Sequence, residues 1–214
     1  MLAATGVQIY LYLSHSFKEY GAQLQSQYPN VHIIGYVEPD MSFLVEPNIS
    51  FPLDKMILPQ NRNAKKDTVD YFCIQLMKLA LMASTANIVK TSHLAWIDFG
   101  IFHMFKDISG CSKLLQEIEQ ANWPSDLILS PGCWPATKQY PIWKSICWVH
   151  CGSFLLGARG LFLHAYSAQQ SLVVSNLPAL TWEVNYWSKM NIFQTYLANH
   201  NDSILKHLMQ YALL

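Results

Sequence analysis

Charge is scarce in this chain, and what there is balances. Only 13% of the 214 residues are Asp, Glu, Lys or Arg, and 14 basic residues meet 14 acidic ones. A net charge of zero leaves no basic footprint for duplex nucleic acid, so nucleic acid is not an expected partner. The five cysteines (Cys73, Cys111, Cys133, Cys147, Cys151) form no C-x-x-C pair. Cys147 and Cys151 flank His150 but have no second ligand pair at matching spacing, which argues for reduced thiols rather than a zinc site. A basic leader and a long apolar run are also missing. The opening "MLAATGVQIYLYLSHSF" alternates apolar residues with Gln and Tyr as a strand does, so neither a signal peptide nor a membrane span is expected. A cytoplasmic, monomeric protein is the corresponding expectation, and the sequons at Asn48 and Asn201 then carry no weight. Finally, there is no Gly/Ser- or Pro-rich linker, so residues 1–214 read as a single domain. The apolar end "HLMQYALL" reads as the last helix of a domain cut from a longer chain.

Apolar residues make up 51% of the chain and aromatics 13%, enough to bury a sizeable core without staples. Seven Trp and eleven Tyr suit sugar or nucleotide sites and also suit cores. The run 6–14 reads as a strand, 17–29 as a helix ending at Pro29, and 31–37 as a second strand, together a βαβ unit. Four prolines mark 38–62 as a long loop, with a short strand near 56–58. The clearest helix is 65–85, with Val69, Phe72, Cys73, Leu76, Leu79 and Ala80 on one face and Asp67 and Thr68 at its start. Strands follow at 93–99 and 126–130, a helix at 112–121, and a Pro- and Trp-rich loop at 131–146. Residues 146–160 read as strand, glycine bend and strand. Residues 161–174 and 181–190 read as helices, the second with Thr181 as N-cap. Strands alternating with helices predict an α/β fold with a mixed, mostly parallel central sheet flanked by helices.

Within "LAWIDFGIFH" (94–103), an apolar strand delivers one carboxylate, Asp98, to its carboxyl end. In open α/β sheets that end faces the ligand crevice. An Asp there caps a turn, pairs with a cation, or holds a divalent metal beside a phosphate. The "DFG" triplet does not mean a kinase, because the glycine-rich loop, V-A-I-K strand and H-R-D segment are all missing. There is also no P-loop and no G-x-S-x-G elbow.

Five segments carry a wider resemblance: "KKDTVDYFCIQLMKLALM" (65–82), "LAWIDFGIFH" (94–103), "HCGSFLLGARGLFLHAY" (150–166), "TWEVNYW" (181–187) and "NHNDSIL" (199–205). In this order they resemble the HtrL/YibB-type glycosyltransferase family and the glycosyltransferase domains of large algal (chlorella) viruses. The resemblance implies a GT-A-like, Rossmann-like fold, a UDP-sugar donor, a glycan or protein-linked glycan acceptor, and Mn²⁺ or Mg²⁺. The usual Asp-x-Asp metal motif departs here, since Gly100 stands at the second acid.

By the same resemblance, Asp98 holds the metal, with His200 from a late segment as a further ligand. His103 is read as a core or surface residue. Gly100, Gly152 and Ser153 let the donor approach the backbone, and Gly157 marks a bend. Glu183 is the general base of an inverting enzyme or an orienter of sugar hydroxyls in a retaining one. Asn185 hydrogen-bonds a sugar hydroxyl, and Trp182 and Trp187 stack on a pyranose or pack the core. Ser14 and His15 contact the nucleotide base or ribose. Arg62, Lys65 and Asp67 fall at a second nucleotide-binding segment, and Lys78 is a further site residue. The competing expectations are a non-catalytic nucleotide- or carbohydrate-binding domain on the same fold and, last, a nucleotide-sugar hydrolase or pyrophosphorylase relative.

Overall fold

A computed structural model describes residues 2–39, 42, 52–98 and 108–197. β1 (Ile9–Leu13) leads through a short 3-10 turn into α1 (Lys18–Gln27) and then β2 (Val31–Tyr36). β1 and β2 pair in parallel, Ile9 opposite Val31 and Leu13 opposite Tyr36, as a βαβ unit requires. α1 lies close against this pair at Gly21, where a Cβ would stand 2.6 Å from Leu13 Cδ1 and 2.8 Å from Ile33 Cδ1. A larger residue there would push the helix off the strands.

α2 (Val69–Ile88) starts at Thr68, whose Oγ1 accepts from Tyr71 N at 3.2 Å. This is the capping geometry that the sequence around Thr68 predicts. The helix is not buried on one face only: every residue from Leu76 to Ala83 is buried. α2 therefore forms the middle of the core, packed against α4 (Arg159–Asn176). A helix apolar all round belongs in that position.

The remaining strands are β3 (His93–Ile97), β4 (Ile128–Gly132), β5 (Phe154–Ala158) and β6 (Phe193–Leu197), with α3 (Ile108–Gln120) between β3 and β4 and α5 (Glu183–Trp187) before β6. They form one sheet in the order β3-β5-β4-β6. β5 runs antiparallel to both neighbours, while β4 and β6 are parallel. The class is mixed α/β, but the sheet is not mostly parallel: among the described strands, parallel and antiparallel pairs are equal in number. The reason lies between β4 and β5, where residues 133–153 hold turns and no helix. A crossover helix is the usual way to return a strand in parallel; here the chain folds straight back.

Four other points differ from the sequence expectations. Residues 146–160 contain one strand, not two, because 147–153 is occupied by turns. Trp182, not Thr181, precedes α5, and the Thr181 hydroxyl instead donates to Ile142 O at 2.6 Å. β6 is an additional strand. The short strand near 56–58 is a single bridge, Ile57 to Ala179. Among the described residues no helix is long and apolar enough to cross a membrane.

Candidate functional site

Asp98 follows directly on β3, and its backbone N–H donates to Ser153 O at 2.9 Å, extending the β3–β5 ladder by one bond. Two positions back, on the same face of the strand, Trp96 donates its indole N–H to Asp98 Oδ1 at 2.6 Å. The other oxygen, Oδ2, accepts from Lys78 Nζ at 3.2 Å. The Asp98 side chain keeps 35% of its surface open to solvent.

Lys78 is 3% exposed, in the middle of α2. Such a cation is stable inside a core only when it is paired and hydrogen-bonded. Its three donor directions are met by Asp98 Oδ2, by Glu183 Oε1 at 3.2 Å and by Gly152 O at 3.0 Å. Burial pushes the lysine pKa down, but the Glu183 and Asp98 carboxylates outweigh it and hold the pKa above its ordinary value. Glu183, at the first turn of α5, is 5% exposed. One cation against two carboxylates leaves the cluster with one net negative charge.

Gly152 completes the arrangement. A Cβ there would stand 2.2 Å from Glu183 Oε1 and 3.0 Å from Lys78 Nζ, so any larger residue would displace the turn or the charged groups it meets. Ser153 contributes its carbonyl to Asp98, and its hydroxyl faces Cys151 Sγ at 2.9 Å. Tyr71, one turn into α2, borders the same charges. Its pKa is pushed up to about 12, first by burial and then by the carboxylates of Glu183, Asp67 and Asp98.

The structure thus brings Asp98, Lys78, Gly152, Ser153 and Glu183 together. Asp67 approaches through Tyr71, although its Oδ2 accepts from Asn63 N at 2.9 Å. In the same loop Lys65 is exposed, and Arg62 donates from Nη1 to Pro59 O at 3.3 Å while its buried Nε has no partner. Ser14 and His15 lie at the carboxyl end of β1. The Ser14 hydroxyl and the His15 N–H both donate to Glu38 Oε1, at 2.8 and 2.9 Å, and hold Glu38 below the usual carboxylate range. The His15 ring stacks on Tyr36 at 5.2 Å.

Asn185 has a different place. It is fully buried; Oδ1 accepts from Cys147 N, and Nδ2 donates to Ile142 O, Ser145 O and Thr181 Oγ1. It fastens the 142–147 loop to α5 with both amide hydrogens donated, and its complete burial keeps it out of reach of a sugar hydroxyl. Trp182 and Trp187 are core residues, the first edge-on to Phe72 and the second stacked on Phe193. Gly157 lies within β5, not at a bend. Gly100, His103 and His200 lie outside the described residues.

Trp96, Tyr71 and Glu38 were not singled out from the sequence. Trp96 was legible, since it stands two residues before Asp98 on one strand. Glu38 and Tyr71 gain their place from pairing and packing that no local pattern announces.

The donor set fits a metal only in one way. Among the described residues no group of three His, Cys, Asp or Glu side chains could hold an ion. Asp98 is a single, partly open carboxylate whose oxygens each keep a lone pair beyond their bonds to Trp96 and Lys78. That suits an ion held by one carboxylate and by the phosphates of a bound substrate. Comparison with protein-family models, with curated proteins and with solved structures finds no match to the chain.

Proposed function

We propose that the chain is a glycosyltransferase with a GT-A-like fold, moving a sugar from a UDP-sugar to a glycan acceptor with Mn²⁺ or Mg²⁺. The observation that carries this reading is the Asp98–Lys78–Glu183 cluster. It sets one open carboxylate at the carboxyl end of a sheet strand and holds it from behind. The five segments that resemble the HtrL/YibB-type family supply much of it, Lys78, Asp98, Gly152 and Glu183 included.

In this reading Asp98 faces the diphosphate, and Trp96 and Lys78 fix its two oxygens so that it needs no reordering when substrate arrives. The metal supplies Lewis-acid stabilisation of charge on the departing diphosphate. His200 would be its second protein ligand. Glu183 is 5% exposed with one oxygen on Lys78, so it acts through the lysine as a positioning residue. That differs from both roles expected from the sequence, a general base on the acceptor hydroxyl or an orienter of sugar hydroxyls, since each must reach a hydroxyl directly. The Ser14–His15–Glu38 corner and the loop that carries Arg62, Lys65 and Asp67 are the parts assigned to the nucleotide.

Calorimetric titration with UDP, GDP and CMP, each with and without Mn²⁺, tests the reading. Binding of UDP that requires Mn²⁺ is expected. Binding of UDP regardless of Mn²⁺ would leave a non-catalytic nucleotide-binding domain, and no binding to any nucleotide would remove the reading.

A further inference from the structure

A second chemically distinct place lies at the far end of α5. The loop at 136–142, the turn at 188–191 and β6 border an open-mouthed cavity of about 430 Å³, within the range that takes small ligands. His150 lines it and is itself 4% exposed. Its Nδ1 lies 2.6 Å from Ser130 Oγ and 3.1 Å from Thr195 Oγ1. Thr195 donates its own hydrogen to Val149 O, so its oxygen can face Nδ1 only as an acceptor. We assign the ring proton to Nδ1, donating toward Ser130 and Thr195, which leaves Nε2 as a bare lone pair. Nε2 has no partner among the described residues. Burial holds the ring neutral, its pKa lowered to about 4, so the lone pair is present at neutral pH.

The rest of the lining sets the ligand's character. Lys138 and Lys189 border the cavity, and among the described residues no Asp or Glu does. Neither lysine makes an ion pair among the described residues. Two cations without a counter-charge favour an anion. Tyr140 and Phe193 provide aromatic walls, which suit the apolar C–H face of a ring that is polar at its edge. An acceptor lone pair, two cations and aromatic walls together call for a hydroxylated, anionic ring.

We infer that this cavity binds an anionic sugar, with a ring hydroxyl donating to His150 Nε2 and the charged substituent held by Lys138 and Lys189. The inference stands apart from the transferase reading, because it involves neither nucleotide nor metal.

The test uses the full chain without nucleotide or Mn²⁺. Glucuronate, glucose-6-phosphate, glucose and inorganic phosphate are titrated in turn, and the ring-nitrogen NMR signal of His150 is followed. Binding of either charged sugar, with a shift of the His150 Nε2 signal, is expected. The double variant K138A/K189A, altered only at exposed side chains, should bind about tenfold or more weakly, the loss expected for charge-assisted contacts. Glucose binding as well as the charged sugars would overturn the role of the lysines. Phosphate binding as well as they do would reduce the site to a bare anion site and overturn the sugar. No binding of any probe, unchanged affinity in the double variant, or an unmoved Nε2 signal would each overturn the proposal.

Discussion

Lys78 Nζ stands 3.2 Å from Asp98 Oδ2 and 3.2 Å from Glu183 Oε1, so one buried ammonium joins a helix in the middle of the core to two separate parts of the chain. Removing only the lysine would leave Glu183 buried without its counter-charge. Lys78→Met is expected to lower the unfolding free energy by about 3–5 kcal/mol, as when one partner of a buried pair is deleted. Urea unfolding at neutral pH measures this. The wild type carries a matching alkaline signature. Because the folded pKa of Lys78 is raised, its contribution is fully present below the ordinary value of 10.5 and is lost as pH climbs through the folded value. An unfolding free energy that stays level above pH 10.5 would contradict the pairing.

Gly152→Ala tests the geometry of the same cluster without changing its charge. The added Cβ would overlap Glu183 Oε1, so the turn before β5 or the Glu183 carboxylate must shift. A loss of about 1–3 kcal/mol is expected, the usual cost of overpacking. A thermal melt matching the wild type would mean that the cradle has room it does not show.

Asp98→Ala is expected to keep the fold, since the side chain is one-third open, and to abolish Mn²⁺-dependent UDP binding. In the wild type, Mn²⁺ alone should bind weakly, because Lys78 already offsets the Asp98 charge and the remaining oxygens belong to the substrate. Calorimetry with the metal, the nucleotide and both together separates these terms. Unchanged UDP affinity in the variant would take Asp98 out of the site.

Glu183→Gln separates base from positioner. A lost general base should lower transfer by about 10²–10⁴-fold and leave UDP affinity alone. A positioning residue should alter Mn²⁺-dependent UDP affinity and kcat together, because Lys78 and then Asp98 are displaced. The second pattern is expected, measured as KM and kcat for the UDP-sugar beside UDP affinity.

His150 supplies an acid-side prediction. Its folded pKa is about 4 against an ordinary 6.5. Stability from the neutral ring is therefore present above pH 6.5 and lost as pH falls toward 4, on the order of 3 kcal/mol in full. Urea unfolding at pH 7 and pH 4.5 should show a larger acid loss in the wild type than in His150→Gln. Equal losses would mean that the ring titrates normally.

Much of the fold was legible where one periodicity dominates a segment. β1, α1 and β2 fall where alternation, then helical spacing, then a buried run place them, and α2 follows its Thr68 cap. The sheet's mixed direction was not legible, because direction depends on how the 133–153 loop returns the chain, and that loop has no period. β6 was not legible because "NIFQTYL" sets apolar and polar residues in pairs, not in alternation, and so lacks the period of a half-buried strand. In the site, Asp98 and Glu183 stood out as acids at element ends, and Lys78 as a cation in an apolar helix. That these three meet was not readable, because the partners lie 20 and 105 positions from Lys78. Asn185 misled for the opposite reason, and Trp187, open to either a sugar face or the core, belongs to the core. Sugar-site residue types also serve as core fasteners, and only burial separates the two uses.

The complete burial of α2 from Leu76 to Ala83 ties opening of the molecule to disassembly of its charged centre. A helix enclosed on all sides exchanges its amide hydrogens only when the surrounding structure comes apart. Lys78 is carried at the middle of that segment, so the cluster should persist through every partial opening that spares α2 and vanish with the last one. The group that aims Asp98 is thus expected to rest on the slowest-exchanging of the described segments.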